Sequence, residues 1–202
     1  GTASKVTVSG LSLSGITGTK SSATTDYGLS TSSRGVSASI TEKPLTLSAI
    51  KVYDGTTSLT GSVTLGGMEN SETLNYTGAT SNDSHVATAN KYISALTLAD
   101  GTGLASNYTL PALSYSAANN NVSITAATLT PTLSNNNVTK TYDGATSAPT
   151  GFTPTWTYAG LVTGDTAASV AYARAVYDNA DVGTASKVTV SGISLSTITG
   201  SN

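Results

Sequence analysis

Apolar and polar residues alternate along most of the chain with a period of two. Leu45, Leu47 and Ala49 are separated by Thr46 and Ser48, and Val6-Thr7-Val8-Ser9 returns as Val188-Thr189-Val190-Ser191. Such alternation sends one set of side chains to a core and the other to water, which is the signature of a half-buried strand. It predicts strands over 45–53, 59–65, 73–79, 86–98, 108–115 and 122–125. Gly66-Gly67, Ser81-Asn82-Asp83, Asp100-Gly101 and Asn119-Asn120-Asn121 supply the turn chemistry between them. Residues 167–177, AASVAYARAVY, have helical composition, yet Val170, Tyr172, Arg174 and Val176 keep the alternation. They are predicted to form a strand; a helix there would replace a sandwich with a β-grasp-like unit.

The pattern repeats. Lys51-Val52-Tyr53-Asp54-Gly55-Thr56-Thr57-Ser58 returns 89 residues later as Lys140-Thr141-Tyr142-Asp143-Gly144-Ala145-Thr146-Ser147. Residues 1–20 return as 183–202 with 16 of 20 positions identical. A weaker middle copy aligns Lys91 with Lys187, His85 with Asp181 and Tyr76 with Tyr172. These registers divide the chain into residues 1–43, the second half of a first module; 44–126, a complete module; and 127–202, a module lacking its closing strands. The seven-residue excess of the last spacing is assigned to an insertion at 148–163. Linkers this short make the expected architecture an elongated rod of tandem Ig-like all-β sandwiches.

Composition narrows the function. Only 10% of residues are charged, and the net charge is −2, so nothing draws the chain to nucleic acid or an anionic membrane. The absence of Cys excludes disulfides, thiolate metal sites and Cys nucleophiles. No apolar run reaches the ~18–20 residues of a membrane helix. The chain opens inside a repeat rather than on a signal peptide, which predicts an excised piece. With one His in the chain, any Ser-His-Asp scheme must run through His85, and no carboxylate pair stands in an acid/base motif. An enzyme is not expected.

Four sets of candidate residues remain. Asp54-Gly55 and Asp143-Gly144 read as turns, the Asp accepting from the backbone two residues on and the Gly taking a positive φ. Tyr53, Tyr142, Tyr108 and Tyr27 recur at matched positions and are read as core rings with hydrogen-bonded hydroxyls. Asp178 and Asp181 are the candidate Ca²⁺ ligands, although calcium wants six to eight oxygens and ordinary turn capping explains both. Trp156, Tyr158 and Phe152 form the candidate carbohydrate-binding loop, set against the reading that they fill a core. Lys51 or Lys140 joined to a strand Asn is a further, isopeptide-forming possibility. No cofactor other than that calcium is expected.

KVYDGTT at 51–57, KTYDGAT at 140–146, GDTA at 164–167, DNADVGTASKVTVSGISLS at 178–196, ASNYTLP at 105–111 and ITEKPLTL at 40–47 together cover nearly the whole chain. In that order they resemble the YDG and MBG-type repeats of large secreted bacterial exoproteins, many of them filamentous-haemagglutinin-like adhesins. The family often has Ala-Gly-Asn-Tyr where residues 105–108 read Ala-Ser-Asn-Tyr. The resemblance implies an extracellular spacer of a cell-surface or biofilm-matrix adhesin. Its expected partners are neighbouring repeats, other copies head to tail, and surface or matrix glycans. Residues 1–43 of one chain would then complete the last module of another.

Overall fold

The computed structural model describes residues 3–18, 20–115 and 117–200, with Ala167 described by its backbone alone. The chain is all-β and is built of several small sheets. Its helical segments, among the described residues, are 3-10 turns at Thr24–Asp26 and Ala105–Asn107.

In the first piece, β1 (Lys5–Ser9) pairs antiparallel with β2 (Ser33–Ser37). Val6, Val8 and Val36 stay more than half exposed on this two-stranded ribbon. A ribbon alone cannot enclose a core.

The second piece is closed. It comprises β3 (Lys43–Pro44), β4 (Thr46–Val52), β5 (Val63–Gly66), β6 (Leu74–Ser81), β7 (Ile93–Asp100), β8 (Tyr108–Thr109) and β9 (Asn120–Thr125). β4 is the centre of a three-stranded sheet, antiparallel to β5 and parallel to β9. β6 and β7 form a second, antiparallel sheet, and β3 pairs in parallel with β8. Leu47 and Ala49 from β4 meet Leu59, Ala79, Ile93 and Leu96 between the sheets, and Leu45, Leu74 and Tyr108 close one end. Every buried apolar side chain among the described residues lies in this piece.

The third piece holds β10 (Thr130–Leu133), β11 (Trp156–Ala159), β12 (Asp165–Ala171), β13 (Arg174–Tyr177), β14 (Val188–Ser191) and β15 (Ser194–Gly200). Hairpin pairs β10–β11, β12–β15 and β13–β14 repeat the preceding unit, but among the described residues β10 is paired on its β11 side alone. Its apolar side chains are therefore half-buried.

Residues 167–177 are extended, as the alternation predicts, and divide between β12 and β13. Three predicted strands are shorter in the structure. Residues 59–62 turn about Gly61 (φ 76°), closed by the Ser62 amide on the Leu59 carbonyl at 3.0 Å. Residues 86–91 curl because the Lys91 ammonium donates to the carbonyls of Val86 (2.9 Å) and Thr88. After Thr109 the chain leaves the sheet, for Pro111 has no N–H and Ala112 gives its carbonyl to the Asn120 amide.

The pairing also relocates the expected insertion. Thr46 faces Gly66 and Thr130 faces Ala159, so Val63 and Leu65 correspond to Trp156 and Tyr158. Trp156 and Tyr158 thus belong to a strand common to both units, β5 in one and β11 in the other, and not to an inserted loop. The extra residues are spread over the approach to β11 and over β12.

Candidate functional site

The repeated turn is built around a lysine. In the first copy the Lys51 ammonium, with a side chain only 7% exposed, donates to Asp54 Oδ1 (2.6 Å) and to the carbonyls of Thr56 (2.7 Å) and Ser58 (2.9 Å). Asp54 Oδ1 in turn accepts the Thr56 amide at 2.9 Å and hydroxyl at 3.0 Å. Gly55 sits at φ 77°, a left-handed conformation that a side chain would strain. The second copy reproduces this: Lys140 donates to Asp143 Oδ1 and the Ala145 carbonyl, both at 2.7 Å, the Ala145 amide donates to Asp143 at 2.9 Å, and Gly144 has φ 74°.

Burial draws the Asp54 carboxyl upward, but hydrogen bonds from Lys51 and Thr56 outweigh it and leave the group below its usual range. Asp143 is lowered too, chiefly by the Lys140 bond and then by the Ala145 amide. The turn acceptors are where the sequence placed them. What it missed is the role of Lys51 and Lys140: their recurrence three residues before each Asp is a signal, and it stands for a bond to that Asp and to the turn carbonyls and not for an isopeptide. Both ammonium groups bond to Asp and carbonyls rather than to a strand Asn.

The tyrosines separate. Tyr108 is buried; its hydroxyl donates to Glu72 Oε2 at 2.6 Å and accepts the Glu69 amide at 3.0 Å. The Glu72 bond raises its pKa. Tyr53 is half-buried and stacks on His85, ring centroids 6.0 Å apart. Tyr27 and Tyr142 are 58% and 61% exposed, which corrects the expectation that all four rings are core. Tyr27 lies beside the coreless ribbon. Tyr142, the repeat of Tyr53, has Val182 near it where Tyr53 has a stacked imidazole and the next unit.

Asp178 and Asp181 lie at opposite ends of a turn. Asp178 accepts the Ser186 hydroxyl (2.5 Å), the Ser186 amide (2.9 Å) and the Lys187 amide (3.1 Å). These bonds, the hydroxyl first, lower its pKa to about 2. Its partner in the first unit is Asn82, whose Oδ1 accepts the Tyr92 amide at 2.9 Å. Asp181 gives its carbonyl to Thr184 and Ala185, and its amide donates to Asn179. Among the described residues no three His, Asp or Glu side chains gather as a metal site would require.

Phe152, Trp156 and Tyr158 are half-buried and alternate with exposed Thr153, Thr155 and Thr157. They share the face that Val63 and Leu65 present to the core of the first unit. Phe152 is placed by its carbonyl, which accepts the Tyr172 hydroxyl at 3.2 Å.

The units meet at Tyr53. Thr125 ends β9 and Thr130 starts β10, four residues apart, so the second unit begins against the end of the first. Tyr53 and Val86 on one side, and Leu129, Leu161, Leu195 and Ile198 on the other, line an open apolar pocket of about 170 Å³. Gly160 (φ 94°) lets the β11–β12 connection pass against the Thr128 carbonyl, where a Cβ would collide. His85 and Asp165 border an adjoining groove.

The family model of the YDG domain matches the chain twice in tandem, over residues 41–118 and 125–202. Neither the curated proteins nor the solved structures compared with the chain gave a match.

Proposed function

Because the chain belongs to the YDG domain family, with two domains in tandem, we propose that it is a non-enzymatic spacer segment of a secreted bacterial surface or biofilm-matrix adhesin. The observation that carries this reading is the junction between the units. A linker of four residues, and an apolar pocket lined from both units by Tyr53, Val86, Leu161 and Ile198, favour close seating of neighbours over a free tether. A tether between folded domains needs no such contact; a stiff stalk does. Leu161→Ser tests it. Small-angle scattering should give the parent one extended shape and the variant a broader distribution of dimensions. Equal flexibility in the two would refute the stalk.

The same reading covers association of copies. β4 has a parallel partner in β9, whereas β10, its repeat, is paired among the described residues on its β11 side alone. Ser39-Ile40-Thr41 aligns with Ser123-Ile124-Thr125 of β9, so the first piece of one copy carries a segment of the kind that pairs with β4 and could pair in the same way with β10 of another. Light scattering over a concentration series should show growth, and Ser39→Pro, at the position of Ser123 whose N–H faces β4, should abolish it. A monomer at every concentration refutes the association. A glycan site has less support, because Trp156 and Tyr158 occupy core-facing positions; glycan-array binding lost on Trp156→Ala would restore it.

A further inference from the structure

We propose that the complete unit is a load-bearing clamp whose mechanical resistance resides in the parallel pairing of β4 with β9. The inference rests on the spacer reading, since a spacer between a cell and its contact is pulled from its ends. Force enters this unit at Lys43–Pro44, immediately before β4, and leaves at Thr125, the last residue of β9. The two strands are parallel and in register over six pairs, from Leu47↔Asn120 to Val52↔Thr125. The entry point is therefore at the start of one strand and the exit at the finish of its neighbour. Tension acts along the strand axis, across the direction of the hydrogen bonds, and loads the whole ladder together in shear. Were the strands antiparallel, entry and exit would share one end and the bonds would open singly.

The flanking bonds suit this role. The ladder is bounded by the Leu47 amide on the Asn119 carbonyl and the Tyr53 amide on the Thr125 carbonyl, both 2.8 Å. Asn120, a buried polar residue 5% exposed, fixes the start of β9 to β7. It accepts the Ile93 amide at 2.8 Å and donates to the Ile93 carbonyl at 2.9 Å and the Ala112 carbonyl at 3.2 Å. The Val122 amide adds a bond to the Lys91 carbonyl. Lys51 fastens the far end of β4 to the repeated turn. This also gives the Lys51 turn a mechanical purpose, since it holds a strand that would otherwise slide, whereas Lys140 lies beyond β10, which ends at Leu133. The second unit is an internal comparison, because β10 has no such parallel partner among the described residues.

Single-molecule stretching of the full chain tests the proposal. Resistance to forced unfolding follows the unfolding barrier and not the equilibrium stability, so pulling direction can be varied on one fold. The chain has no Cys, so handles can be placed at introduced cysteines. Pulled through its ends, the chain should show a late event releasing the roughly 80 residues from β4 to β9, a gain of about 250 Å at ~3.3 Å per residue. With handles at Thr46→Cys and Asn119→Cys, two exposed positions at the same end of the ladder, the same bonds are peeled one by one. That geometry should yield at a force several-fold lower. Ser123→Pro should lower the end-to-end force while circular dichroism shows the variant still folded. Equal forces in the two geometries, or a first unit that opens no later than the second, would overturn the clamp. Either result leaves the junction measurement on Leu161→Ser unaffected, so the clamp can fail while the stalk stands.

Discussion

At the residue scale, the repeated turn depends on a charge that does not face water. Removing the Lys51 ammonium strips donors from Asp54 and from the Thr56 and Ser58 carbonyls. Lys51→Met should cost about 1.5–3 kcal/mol, the net range for hydrogen bonds to a charged group, as measured by urea unfolding. Lys140→Met should cost less, since two acceptors lose their donor. The pH dependence has a definite sign. Asp54, Asp83, Asp143 and Asp178 are all held below their ordinary value, Asp83 chiefly by the His85 amide. A carboxylate lowered in the folded state adds stability above its unfolded pKa and loses it as pH falls through the folded one. For Asp178 that window runs from 3.8 down to about 2. Melting temperature should hold steady from neutral pH to about pH 5 and then fall through that window. Asp178→Asn, which copies Asn82 of the first unit, should flatten the acid limb. Loss of stability beginning near pH 7 would contradict this. Asp54 and Asp143 were legible in the sequence because their bonds close within two residues. The lysine bonds to the carbonyls of Thr56, Ser58 and Ala145 were not, because any residue provides a carbonyl.

At the scale of elements, alternation marked where strands lie but not how long they run. Lys91 delays the start of one predicted strand and Asn120 cuts another short through side-chain bonds to backbone five and eight residues away, which a period-two pattern does not record. The alternation of Val170, Tyr172, Arg174 and Val176 did outweigh helical composition, because 165–171 pair with β15 and 174–177 with β14, which takes up the backbone groups in strand ladders. Trp156 shows the reverse: bulk and flanking Pro suggested a displayed loop, while strand register places it opposite Leu133 as the counterpart of Val63. Trp156→Ala should therefore lower the melting temperature by several degrees and leave glycan binding unchanged. A glycan-binding loss with unaltered melting would reverse that assignment. Ile93, fully buried between the sheets, should cost about 2–5 kcal/mol when cut to Ala. Tyr108→Phe should be milder, a fall of a few degrees, since its ring packing survives and only the Glu69 and Glu72 bonds go.

For the molecule as a whole, the repeats were legible and the contact between them was not. Offsets in sequence can count units, but that Leu161 and Ile198 line one pocket with Tyr53 depends on how distant segments are brought together. The central claim is that the second unit is held against the first rather than tethered to it. The most direct measurement is the distance distribution between spin labels on Thr60→Cys and Thr153→Cys, exposed positions in successive units of a chain otherwise free of Cys. A single narrow distribution, broadened by Leu161→Ser, is the predicted result. A distribution already broad in the parent, and unmoved by that substitution, would contradict it.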